Sequence, residues 1–295
     1  VSVIETGSLR RFVPVWENEK CLPPCQAHCP TGIPVRKRWE LIRNGKTQEA
    51  VDLALAYTPF PAAVCGYLCP NLCMQSCTRQ KADLPAVDTA LLGRASLQAA
   101  VPSPAPTTGH KIAVVGGGAA GLSVAWQLRM KGHEAVIYDM RKRLGGKITA
   151  TIPRSRIPDD VLEHELKRLE REIPHKNLKR PLTEGQFEKL HEKFDAVVIA
   201  VGAQKPRKIP IPGRERAIAA LDFLRESRLD QAKTGENVVI LGAGNVGCDA
   251  AAESFRLGAG SVTLIDIQPP ASFGVERRHA EAAGAKFLWP RVTKA

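Results

Sequence analysis

The segment Lys111 to Asp139, KIAVVGGGAAGLSVAWQLRMKGHEAVIYD, decides the fold. An apolar run, Ile112 to Val115, breaks at Gly116, Gly118 and Gly121. It continues with helical periodicity to Met130 and returns as a second apolar run ending in Asp139. Strand, glycine turn, helix, strand and terminal acid together make a dinucleotide fingerprint. The first glycine permits the tight turn, the second lets a pyrophosphate approach the backbone, and the third lets the helix pack closely on the strand. The helix N-terminus offers unpaired N–H groups to phosphate, and Asp139 stands where a carboxylate accepts a ribose hydroxyl. A glycine triplet alone would fit a turn in an unrelated parallel sheet; the flanking elements and the acid make the stronger reading.

The pattern occurs again downstream. Asn237 to Leu241 reads as a strand, Gly242, Gly244 and Gly247 as the turn, a helix runs to Arg256, and Val262 to Ile265 is a strand ending in Asp266. Two such folds mean two nucleotides. Asp266 would accept the ribose hydroxyls of NAD and repel a 2′-phosphate, and Ile267, Gln268, Pro269 and Pro270 bring no positive charge, so NADH is expected over NADPH. Cys248, in the first turn of the second helix, reads as a small packed side chain before it reads as an activated thiolate.

Between the fingerprints, Gly145 and Gly146 fit either a second backbone approach to nucleotide or a plain turn. Val161 to Glu172 reads as an amphipathic helix whose charges face solvent, and Phe194 to Val201 as a buried parallel strand. Residues 205–213, KPRKIPIPG, read as an extended crossing between domains.

Seven of the eight cysteines lie upstream, as Cys21, Cys25 and Cys29, then Cys65, Cys69, Cys73 and Cys77. Such density in a cytosolic chain argues for metal rather than disulfides. The Cys-Pro steps at Cys29 and Cys69 resemble ferredoxin-like runs, whereas zinc would need only four ligands. Two cubane clusters need eight ligands. Either the eighth is not a cysteine, one cluster keeps an open position, or only one cluster forms. Residues 34–61 read as two short helices split at Asn44-Gly45, bringing the cysteine groups together, and a further helix is expected over Ala86 to Ala100. VPSPAPTTGH, residues 101–110, reads as a linker.

A chain of 295 residues with 44% hydrophobic content suits a soluble α/β protein of two or three domains. Neither a membrane-length apolar run nor a signal-peptide pattern is present, so cytoplasmic location without membrane insertion is expected. The formal charge of +12 counts the cysteines as neutral and is scattered, with bunches at Arg36 to Arg38 and Arg141 to Arg143. No stacking aromatics or recognition motif accompany it, which argues against nucleic acid and for an acidic protein partner.

In this order, the cysteine groups, linker, flavin-type fingerprint and nested second fingerprint resemble the glutamate synthase small-subunit family, which includes the N-terminal half of dihydropyrimidine dehydrogenase. The resemblance spans essentially the whole chain. It rests on CQAHCP, VCGYLCPNLCMQSC, VVGGGAAGLSVAWQL, LGGKITATIPRSRIP, FDAVVIAVGAQKPRKIPIPG, ALDFLRE and VVILGAGNVGCDAA. It implies an α/β protein: an N-terminal all-helical iron-sulfur domain (1–100), the linker (101–110), and two nested Rossmann-like dinucleotide-binding domains (111–204 and 205–295). FAD is then expected at Gly116, Gly118, Gly121, Asp139, Gly145 and Gly146. NADH, or NADPH, is expected at Gly242, Gly244, Gly247 and Asp266, and one or two 4Fe-4S clusters on Cys21, Cys25, Cys29, Cys65, Cys69, Cys73 and Cys77.

Three departures accompany the resemblance. Better-known members carry a further cysteine ahead of the first group, where this chain has Asn18 and Glu19. Some use a Gln or similar ligand after the last cysteine, where this chain has Leu91-Leu92. Members also return to the FAD domain after the NAD domain, and this sequence stops at Ala295, which implies a fragment, a partner that completes the site, or a weakly held flavin.

The implied activity is electron input: NAD(P)H reduces FAD, and single electrons pass through the clusters to other subunits of a redox complex or a ferredoxin-like acceptor. No protein acid, base or nucleophile is required, so no catalytic residue is assigned, and His28, His110 and His133 are read as surface or supporting groups. The competing reading is a non-catalytic iron-sulfur wiring subunit whose nucleotide folds are vestigial. Retention of both Asp139 and Asp266 speaks against it.

Overall fold

The computed structural model describes residues 22–98, 100–203, 205 and 211–292. Cys21, Asn18 and Glu19, and most of the proline-rich crossing at 205–213, lie outside the described residues.

The first fingerprint folds as its periodicity predicts. β1 (Lys111–Val115) and β2 (Glu134–Asp139) are parallel neighbours, joined by the helix Ala119–Met130. β3 (His175–Asn177) and β4 (Ala196–Ile199) complete a parallel sheet of order β3-β2-β1-β4. The helix buries Gly121, Leu122, Ala125 and Trp126, one face at helical spacing. The second fingerprint forms its own parallel sheet, β5 (Asn237–Leu241), β6 (Ser261–Ile265) and β7 (Lys286–Leu288), with the helix Asn245–Arg256 between β5 and β6.

Among the described residues before β1 there is no strand. The two expected short helices are Val35–Arg43 and Thr47–Leu55, separated at Asn44-Gly45 with Gly45 at φ 73°. The helix expected over Ala86 to Ala100 is shorter. It begins at Thr89, where the Asp88 carboxylate accepts the Leu91 N–H at 2.8 Å, and gives way after Ala95 to a 3₁₀ turn, Ser96–Gln98. Pro61–Leu68, which carries Cys65, is a π-helix; the Cys69 N–H closes it on the Val64 carbonyl at 2.8 Å. π turns are rare and gather at functional sites.

The helical N-terminal part does not pack as a separate lobe. Val51, Leu55, Phe60, Ala62 and Ala63 share one core with Ile112, Val114, Leu122, Trp126 and Leu162. Trp126 Nε1 donates to Leu55 O at 2.7 Å across this seam. The helix Asp159–Glu172 corrects the expectation of a solvated charged face. Glu165 and Arg168 are 0% and 2% exposed. Glu165 accepts the first N–H groups of the π-helix, Ala62 at 3.0 Å and Ala63 at 2.8 Å, because those groups have no partner within their own helix. Arg168 balances that carboxylate at 3.1 Å.

The second nucleotide fold has its own core around Cys248, Ala251, Val262 and Leu264. Arginines tie it to the first. Arg156 pairs with Asp249 and Glu276, both at 2.9 Å, and Arg228 donates to Thr149 O and Ile152 O and pairs with Asp159. β4 is parallel to β1 as expected but is not buried on both faces: Ile199 is 64% exposed and Val201, just beyond it, 50%.

Candidate functional site

The open face of β4 belongs to a cavity. A space of about 790 Å³ at the C-terminal end of the first sheet is lined by Gly116, Gly118, Asp139, Gly146, Ile199 and Arg225 among others, the position where open α/β sheets hold ligands. Gly116 sits at φ 108° with no room for a Cβ beside the Ala200 carbonyl. A Cβ on Gly121 would overlap the Gly116 carbonyl oxygen, so only glycine lets the helix start this close to β1. At Gly118, by contrast, the nearest atom to such a Cβ would be Gly146 Cα at 3.9 Å, leaving open the side on which a pyrophosphate would lie.

Asp139 turns its carboxylate onto the loop. Oδ2 accepts the Gly117 N–H at 2.6 Å and Oδ1 the Arg141 N–H at 2.7 Å. Lone pairs remain for ribose hydroxyls. Gly145 and Gly146 pack backbone to backbone against the first glycine loop. Gly145 donates to Gly117 O at 2.7 Å and bridges to Gly118, and a Cβ on Gly146 would stand 2.9 Å from Gly118 Cα. Arg225 reaches this cavity from the second fold, and its Nε is buried without a hydrogen-bond partner. An anionic, two-ended nucleotide fits this set of donors and spaces.

The second loop repeats the arrangement. Gly242 is at φ 106°, a Cβ on Gly247 would overlap the Gly242 carbonyl oxygen, and nothing lies within 4 Å of the Cβ position at Gly244. Asp266 Oδ2 accepts the Ala243 N–H at 2.8 Å and Oδ1 the Gln268 N–H at 3.3 Å. The Ala243 N–H above all, aided by Gln268 and Ile267, holds this carboxyl below the usual carboxylate range against the opposing effect of desolvation. Cys248 is fully buried in the second core, and burial raises its thiol.

None of the six described N-terminal cysteines is in a disulfide. Cys25, Cys73 and Cys77 line one cavity of about 720 Å³ together with Trp39 and Thr89. Cys65 lies within electrostatic reach of Cys69, Cys29 and Cys73. Burial pushes its thiol up to about 12, opposed by Arg38 and reinforced by those three neighbours. Cys69 Sγ accepts the Asn71 N–H at 3.3 Å, and Thr31 and Thr89 hydroxyls lie 3.4 and 3.3 Å from Cys29 and Cys73. Among the described residues no three His, Cys or acid side chains converge on a point that would hold one metal ion. A cubane spreads its thiolates around a larger body than one metal ion, and an N–H on one sulfur with hydroxyls beside two others suits it.

The bunch at Arg36 to Arg38 read as surface charge, yet Arg38 is 2% exposed. Its helical spacing from the apolar Val35 and Ile42 was the local signal. His133 meets the Thr108 hydroxyl at 2.6 Å and His110 lies 3.8 Å from Asp195, both at the surface.

Residues 110–288 match the family model for pyridine nucleotide-disulphide oxidoreductases. The chain belongs to that family. Residues 4–101 match the family model described as dihydropyrimidine dehydrogenase domain II, 4Fe-4S cluster. The chain is 30% identical to the glutamate synthase [NADPH] small chain of Azospirillum brasilense over 91% of its own length and 61% of that protein's. It is 30% identical to the NADPH-Fe(3+) oxidoreductase subunit beta of Geobacter sulfurreducens (strain DL-1 / KN400) over 88% of its length and 40% of that protein's. In fold, it matches a structure of 2-naphthoyl-CoA reductase with a TM-score of 0.55 at 18% identity, covering 93% of this chain and 38% of that one. It thus spans roughly half the length of the curated relatives it matches. No helix among the described residues is long and apolar enough to cross a membrane.

Proposed function

We propose that the chain is the electron-input part of a larger oxidoreductase, oxidising NAD(P)H, with NADH preferred, at a bound FAD and passing single electrons through 4Fe-4S clusters to another subunit. The observation that carries this reading is the repetition of one loop geometry at two sites, Asp139 on Gly117 and Asp266 on Ala243, in a chain whose cysteine-bearing helices share a core with the first site. FAD, when bound, supplies the change from two-electron to one-electron chemistry.

Everything else falls to the chain's own residues. The Gly116 to Gly121 loop and the helix after it present N–H groups to a pyrophosphate, Asp139 accepts from ribose, and Gly145-Gly146 brings a second backbone segment against that loop. Gly242 to Gly247 and Asp266 present the same set to the reduced nicotinamide nucleotide. The arginine ties Arg156 to Asp249 and Glu276, and Arg228 to Asp159, hold the two folds in register. The shared core fixes the thiols on the same body as the flavin fold. No protein group has to gain or lose a proton in the hydride step.

The two relatives at 30% identity named above carry NADPH in their names, so coenzyme choice is the sharpest place to test this chain. An ionised Asp266 followed by Ile267, Gln268 and two prolines repels a 2′-phosphate. Asp266→Arg should lower kcat/KM for NADH and raise it for NADPH, each by about tenfold, equivalent to about 1.4 kcal/mol. Steady-state kinetics with both nucleotides and an artificial acceptor measures it, and unchanged values for both would contradict the preference.

A further inference from the structure

Arg38 is a buried cation without a buried anion. Its side chain is among the largest fully enclosed ones, yet among the described residues no carboxylate pairs with it. Its hydrogen bonds run to neutral groups: Nε donates to Ala50 O at 2.9 Å and Nη2 to Ser96 Oγ at 3.1 Å, with Ser96 in turn bonded to Leu92 O. An isolated buried charge is costly, and a chain that keeps one usually has a counter-charge for it. One short segment ties Arg38 to two thiols that would be charged only as cluster ligands: Ser96 bonds Arg38, Thr89 Oγ1 lies 3.3 Å from Cys73 Sγ, and Gly93 packs against Cys65.

Those two thiols belong to a group of four: Cys65, Cys69 and Cys73 follow one another at four-residue steps, and the turn Pro24–Ala27, just ahead of Cys29, packs on Leu72–Gln75, which carries Cys73. Cys65 is set in place by backbone: the π-helix packs on the helix Thr89–Ala95 so closely that a Cβ on Gly93 would fall 2.6 Å from Gly66 N and 2.8 Å from Cys65 Cβ. The Asn71 N–H already points at Cys69 sulfur. Resting on the iron-sulfur reading above, we propose that Cys29, Cys65, Cys69 and Cys73 hold one 4Fe-4S cluster and that Arg38 is its built-in counter-cation. Four thiolates around such a cluster carry net negative charge that grows by one on reduction, so a fixed cation favours the reduced form and raises the potential. Arg38 is a positioning and tuning group, not a ligand.

The test is an EPR-monitored redox titration of the full chain, purified anaerobically, with iron and acid-labile sulfide counted on each sample. Cys65→Ser should alter one cluster signal, which identifies the cluster concerned; if iron content and every signal stay as in the wild type, Cys65 is not a ligand. Arg38→Met should shift that signal's reduced-to-oxidised ratio at fixed poise at least tenfold towards oxidised, 59 mV for a one-electron couple, or lose that cluster, while Arg38→Lys keeps both cluster and potential. An unshifted potential in Arg38→Met overturns the proposal. Equal loss of iron in both arginine variants also overturns it, since shape and not charge would then be what matters. Wild-type protein without labile sulfide would overturn the underlying iron-sulfur reading before Arg38 enters.

Discussion

Replacing Glu165 by alanine is expected to lower stability by about 3–5 kcal/mol, the usual cost of removing one partner of a buried ion pair, and the first thermal transition by on the order of 10 °C. Three groups lose their partner at once. The Ala62 and Ala63 N–H groups are left at the start of the π-helix, and Arg168 stays charged and buried with only Pro59 O and no carboxylate. Arg168 already leaves Nε and Nη1 unpartnered, so the carboxylate is its main compensation. Because the π-helix carries Cys65, iron content should fall along with stability. Glu165→Gln keeps an acceptor and should lie between the two. Differential scanning calorimetry with an iron count measures both, and an alanine variant within about 1 kcal/mol of wild type, the usual range of a modest substitution, would show that this carboxylate does not anchor the π-helix.

Gly247→Ala should separate the two nucleotide sites. The added methyl would overlap the Gly242 carbonyl oxygen, a backbone atom that cannot swing away, so the helix must move off the strand and the second loop must open. Overpacking of this kind costs roughly 3 kcal/mol, equivalent to about a hundredfold weaker nucleotide binding. The first loop is untouched, since its own third glycine is Gly121. FAD content should stay at the wild-type level while the KM for NADH rises about a hundredfold. Loss of FAD together with NADH would mean that the two loops do not serve separate nucleotides.

Much of this architecture was legible because it is written in backbone needs. Gly116, Gly121, Gly242 and Gly247 each sit where a side chain would strike a carbonyl or strain φ, and an apolar run before each and an acid after the next run leave few other folds. The buried charges of the helix Asp159–Glu172 were not legible. Glu165 and Arg168 sit in a charge pattern that reads as solvated, and only the tertiary arrangement supplies a reason to bury them, the N-terminus of the π-helix that Glu165 caps; for Arg38 the spacing from Val35 was a local hint. The π-helix left no mark either: nothing in Pro61 to Leu68 announced it, and its contacts with Gly93 and Glu165 appear only in the tertiary structure. The open face of β4 misled for a similar reason. FDAVVIAV is apolar enough for a strand buried on both sides, but Ile199 faces the cavity at the C-terminal end of the first sheet and stays open to it.

The most direct test of the central claim is anaerobic. Flavin, iron and labile sulfide are counted per chain, and the visible spectrum is followed as NADH is added. The account predicts FAD near one per chain and flavin absorbance that bleaches with NADH, followed by loss of the iron-sulfur absorbance as electrons move on. Iron without flavin, or a spectrum indifferent to NADH and NADPH alike, would contradict it and leave the two nucleotide folds as architecture around an iron-sulfur adaptor.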